Sequence, residues 1–150
     1  MTTHTLEQAI NNLTKEIQMN HFSNVKDIDN KLAEIMAFNN YLVIRPLARL
    51  LEDNAQNDEA IFSIIHSIES FDDDVYIHEI INEFPYLVSK SPYWTTILLI
   101  RILNSDIARK CIIEKVEFDS IQKEIEKRYG SKSFNSCMVR LKVIINSFVQ

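Results

Sequence analysis

Apolar residues recur at three- and four-residue intervals along nearly the whole chain, the spacing of helices that bury one face. Leu6, Ile10, Leu13 and Ile17 predict a first helix over residues 5–19. Ser23 or Asn24 can cap a second, with Val25, Ile28, Leu32, Ile35 and Met36 inward, and Asn39-Asn40 breaks it. A third is predicted over residues 41–52 with Leu47, Leu50 and Leu51 inward; Pro46 either starts its regular part or kinks it. After a polar loop at 54–58, Asp58 caps a fourth helix reaching Ser70, with Ile61, Phe62, Ile64, Ile65 and Ile68 inward. A short turn at 71–73 leads to a fifth, carrying Val75, Ile77, Ile80, Ile81 and Phe84, which Pro85 bends rather than ends. Ser91-Pro92 opens a sixth through Trp94, Ile97, Leu98, Ile100 and Leu103, since proline suits the first helical position. Three more helices are expected: from Ser105 or Asp106 to about Val116, from Asp119 to Tyr129 with Gly130 as its stop, and from Ser133 through Phe148.

Within this pattern there is a weak repeat. Ile64-Ile65-His66-Ser67-Ile68-Glu69-Ser70 is echoed thirty-five positions later by Leu99-Ile100-Arg101-Ile102-Leu103-Asn104-Ser105. The preceding helices match in spacing through Leu47, Leu50, Leu51 and Ile77, Ile80, Ile81. A helical hairpin recurring at that period is the mark of an α-solenoid, because one hairpin cannot bury its apolar stripe alone. The competing reading is a plain bundle with chance similarity. The expected fold class is therefore all-α: one domain over residues 1–150, about nine helices, solenoid-like.

Composition narrows the picture. The chain has one glycine and three prolines, too few punctuators for a hairpin-rich β fold. No basic and apolar leader opens it, and the run Ile97 to Ile100 is far too short to span a bilayer, so a cytoplasmic location without membrane contact is expected. Cys111 and Cys137 read as buried reduced thiols.

Charge is the least ordinary feature. Between Leu50 and Ser89 there is no Lys or Arg, but there are ten carboxylates: Glu52, Asp53, Asp58, Glu59, Glu69, Asp72, Asp73, Asp74, Glu79 and Glu83. Residues 1–49 hold five acids and five bases, and residues 90–150 six acids and eleven bases. The net charge of −5 thus hides a middle that favours a cationic partner. Asp72-Asp73-Asp74 is the sharpest element of it. Capping and the helix dipole account for one or two of these acids, and less well for a forty-residue stretch without a base. The basic C-terminal third interleaves its Lys and Arg with Glu at i,i+4 spacing and reads as a solvated face.

Catalytic signals are weak. His78-Glu79-Ile80-Ile81-Asn82 lacks the second imidazole that a helical zinc site needs four residues after the first. There is no glycine-rich phosphate loop and no nucleophile elbow. No enzyme activity, metal or other cofactor is expected. A recognition surface is easier to place. His66 and Arg101 hold equivalent repeat positions, and with Ser63 and Trp94 they could line one wall; ordinary solvent-facing polar residues are the bland alternative. Trp94, the single tryptophan, is either core or, if exposed, an anchor.

From about residue 44 to 116 the chain resembles the immunity protein 30 family of bacterial toxin–immunity systems. The resemblance is carried by Leu47-Ala48-Arg49-Leu50-Leu51-Glu52-Asp53, by Ile65-His66-Ser67-Ile68-Glu69-Ser70-Phe71-Asp72-Asp73, by Ser91-Pro92-Tyr93-Trp94, and by Leu98-Leu99-Ile100-Arg101-Ile102-Leu103-Asn104-Ser105. It implies a cytoplasmic, all-helical protein that binds and neutralises one cognate toxin, as in contact-dependent growth inhibition. The expected function is a stoichiometric, 1:1 inhibitor that covers the active or substrate-binding site of its toxin. A nuclease with a basic cleft is one candidate, because carboxylates can stand where phosphates would. The expected contact residues are Glu52, Asp53, Asp58, Glu59, Ser63, His66, Glu69, Asp72, Asp73, Asp74, Glu79, Trp94 and Arg101. The alternative is a helical-repeat scaffold that bridges other proteins and has no toxin. A DNA-acting solenoid would need a basic groove where this chain is most acidic, so a nucleic-acid partner is not expected.

Overall fold

The computed structural model describes residues 5–104, and all regular structure among them is helical. There are six α-helices: α1 Leu6–Asn20, α2 Val25–Met36, α3 Ile44–Ala48, α4 Asp58–Glu69, α5 Asp73–Lys90 and α6 Pro92–Asn104. A 3-10 turn, Tyr41–Val43, leads into α3. The all-α expectation holds over these residues. The seventh, eighth and ninth expected helices, Gly130 and both cysteines lie outside the described residues. Six α-helices alone do not support the nine-helix, solenoid-like arrangement.

The chain divides into two compact units, Met1–Phe71 and Asp72–Gln150. In the first, α2 packs against both α1 and α4, and α3 packs against α4. Its core is the apolar stripe legible in the sequence: Ala9, Leu13, Ile17, Ile28, Leu32, Ile35, Ile61, Ile64, Ile65 and Ile68 are all buried. Each large side chain so removed from water contributes about 1.5–3 kcal/mol. Helix α1 starts on a capping box. The Gln8 N–H donates to Thr5 Oγ1 at 3.2 Å and the Thr5 N–H donates to Gln8 Oε1 at 2.9 Å. Asn24 caps α2 by accepting from the Asp27 N–H at 3.1 Å.

Two expectations need correction in this unit. The third helix does not run over residues 41–52. Its α-helical part has five residues, with Pro46 in the first turn, where a missing N–H breaks no bond. Leu51 is buried without being helical. The fourth helix is not capped by Asp58. The N-cap is Asn57, whose side chain makes no capping bond. Its amide donates instead to the Phe22 carbonyl at 3.2 Å, a tie spanning thirty-five residues.

In the second unit α5 packs against α6. Pro85 lies inside α5, and the helix continues past it to Lys90. Buried Phe84, Leu87 and Val88 flank the proline and hold the turn that it weakens. Pro92 takes the first position of α6. In its first turn Thr95 Oγ1 donates to the Ser91 carbonyl at 2.7 Å and Thr96 Oγ1 to the Pro92 carbonyl at 2.8 Å.

Candidate partner-binding surface

Folding sorts the ten central carboxylates by exposure. Asp53, Asp58, Glu59, Asp72 and Asp74 are exposed; Glu52, Glu69 and Asp73 are half-buried; Glu79 and Glu83 are buried at 7% and 6% exposure. The sorting follows helical phase. Residues 79 and 83 are one turn apart on α5 and share the face of Tyr76, which is also buried. All three have interaction partners within the fold. Of the expected contact residues Glu79 is thus enclosed and engaged in the free chain, which leaves it little to present to a partner.

Four of the five exposed acids, all but Asp53, fall at helix starts. Asp58 and Glu59 form the first turn of α4, and Asp73 and Asp74 the first turn of α5, with Asp72 as its N-cap. The Asp72 carbonyl accepts from the Val75 and Tyr76 N–H groups, as an N-cap carbonyl does. Its carboxylate makes no capping hydrogen bond. For Asp72 the remaining structural explanation is the helix dipole, worth about 0.3–1 kcal/mol.

The expected wall of polar residues is only partly exposed. On α4, Ser63 is half-buried and its hydroxyl donates to the Glu59 carbonyl at 3.2 Å. His66 is exposed, its ring 6.2 Å from that of Phe62. On α6, Arg101 is half-buried and Trp94 is 1% exposed. The indole stacks edge-on against Tyr93 at 5.0 Å. Trp94 therefore takes the core position that was one of its two readings, and the anchor reading is corrected. Ser63 and His66 belong to the first unit, Trp94 and Arg101 to the second.

Asn82, where a zinc pattern would place an imidazole, bonds back to His78: its Nδ2 lies 3.2 Å from Nε2 and donates to the His78 carbonyl at 3.0 Å. Among the described residues no three His, Cys, Asp or Glu side chains are grouped to hold a metal ion. No helix among them is long and apolar enough to cross a membrane.

The sequence reading missed a cluster of exposed apolar side chains between α2 and α3. Phe38 is 41% exposed, Tyr41 48% and Leu42 58%. A signal was present. Tyr41-Leu42-Val43-Ile44 is an unbroken apolar run, and a helical turn can bury only one side of it. Val43 and Ile44 are fully buried, which turns Tyr41 and Leu42 outward.

The family model described as immunity protein 30 covers residues 11–112, about two thirds of the chain. No curated protein and no solved structure matches it.

Proposed function

Because the chain belongs to the immunity protein 30 family, we propose that it binds one cognate antibacterial toxin in a 1:1 complex inside the producing cell and covers that toxin's active or substrate-binding site. Family membership carries this reading. The charge distribution supports a mechanism. Five exposed carboxylates lie in a stretch without a Lys or Arg, so they attract a cationic surface. A basic cleft built for nucleic acid is such a surface, which makes a nuclease the favoured toxin class. Carboxylates at α4 and α5 steer the encounter and fix its register, while apolar contacts supply most of the affinity. The proposed steering set is Asp53, Asp58, Glu59, Asp72 and Asp74, with half-buried Glu52, Glu69 and Asp73 at its margin.

The test is growth protection and association kinetics with the toxin domain encoded beside this chain. The chain protects cells from that toxin and binds it stoichiometrically. Reversing Asp58 and Glu59 to Lys slows association about tenfold or more at low ionic strength, and the difference shrinks as salt approaches about 1 M. Failure to bind or protect would remove the toxin reading. Binding with an unchanged association rate would leave the function and remove the electrostatic mechanism.

A further inference from the structure

We propose that the turn from Phe38 to Leu42 is the apolar anchor of this protein, seated in an uncharged pocket of the toxin; the proposal rests on the reading of the chain as an immunity protein. Three large apolar side chains stand exposed within five residues. Isolated exposed apolar residues are ordinary, but a contiguous group marks a contact surface. The turn is also built rigidly. The Asn39 N–H donates to the Met36 carbonyl at 3.0 Å, and the Val43 N–H to the Asn40 carbonyl at 3.1 Å. Asn40 Oδ1 accepts from the Leu42 N–H at 3.0 Å. Asn39 holds a left-handed φ of 50°. Buried Val43 and Ile44 pin the far end to the core. A backbone held in this way loses little entropy on binding, which favours its side chains as anchors.

Charge and area identify the occupant. From Met36 to Ile44 there is no Asp, Glu, Lys, Arg or His, so the matching surface is uncharged and distinct from the basic surface that the carboxylates would attract. The exposed parts of the three side chains amount to roughly 300 Å², taking 150–250 Å² for a whole aromatic side chain. Two copies of this chain meeting there would bury about twice that, below the roughly 1,000 Å² that a stable interface needs. The patch is too small to be an interface alone and the right size for the dry centre of a larger one, with a polar rim around it. A second copy would have to enlarge the interface against this chain's own acidic middle, where like charges repel, whereas a toxin with a basic surface beside the pocket can supply the rest.

The experiment uses the full chain and the inactivated toxin domain encoded beside it. Tyr41→Ser and Leu42→Ser are made singly and together, with thermal unfolding as the control for folding; both side chains are exposed, so the variants keep the wild-type midpoint. Each single change raises Kd about tenfold or more, through faster dissociation, while the association rate and its salt dependence stay as in wild type. The acid reversals at Asp58 and Glu59 show the opposite split. Wild-type affinity in the double variant would overturn the anchor while leaving the immunity function standing. A wild-type dimer that the double variant splits would overturn it in favour of a second copy. Absence of any complex with the wild-type chain would remove the immunity reading, and the anchor with it.

Discussion

His21 and Phe22 hold left-handed backbone at φ 50° and 66°, next to one another at the end of α1. Non-glycine residues reach this region at a cost of roughly 1–2 kcal/mol each. The cost is borne for different reasons. The His21 N–H closes the helix by donating to the Ile17 carbonyl at 2.8 Å, and its side chain is exposed. Phe22 is fully buried, and its carbonyl receives the Asn57 amide. His21→Gly therefore stabilises the protein by about 0.5–1 kcal/mol, read as a higher urea midpoint. Phe22→Gly relieves the same backbone but destabilises by about 3 kcal/mol or more, because it empties a core site. Asn57→Asp separates two roles in the same measurement. If Asn57 served to cap α4, Asp would replace it without loss. Since its work is to donate to Phe22, Asp costs about 1–3 kcal/mol by leaving that carbonyl facing a carboxylate. A neutral Asn57→Asp would show that the tie contributes nothing. The left-handed pair was not legible in the sequence: glycine is the usual signal for it, and neither residue is glycine.

At the scale of elements, α5 shows how one helix divides its charges. Its first turn and N-cap present Asp72 and Asp74 to solvent, and its middle encloses Glu79 and Glu83. The two groups answer differently to substitution. Changing Asp72 to Asn costs about 0.3–1 kcal/mol of stability, because its side chain makes no capping bond and the dipole interaction is what is lost. Glu79→Ala costs about 1–3 kcal/mol, because it strips a buried group from its partners. Thermal unfolding of the two variants checks the contrast. A loss well above that in the Asp72 variant would mean that this acid is structural and would weaken its assignment to partner binding. The count of acids was legible in the sequence. Their division was not, because burial of residue 79 or 83 depends on which face of α5 another element covers.

Across the whole molecule, a net charge of −5 conceals a neutral first third, an acidic middle and a basic last third. Nonspecific nucleic-acid binding needs a basic stripe, and the central helices lack one. The chain is accordingly not retained on heparin at about 0.15 M ionic strength. Retention there would point to the basic C-terminal third as a binding surface and would revive a nucleic-acid role.

Helical periodicity, the scarcity of glycine and the base-free middle are properties of the residues in order, so the sequence alone determined the all-helical class, most core positions of α1, α2 and α4, and the family. Helix ends were less legible where a side chain had two possible partners. Asn57 could cap α4 or reach Phe22, and only the approach of α1's end to that loop decided it. Trp94 could be core or anchor, and the packing of its unit placed it in the core. The exposed turn at Phe38, Tyr41 and Leu42 was likewise decided by tertiary structure. An apolar residue is pulled inward only if something covers it. In a run of consecutive apolar residues, long-range packing on Val43 and Ile44 determines which ones remain facing water.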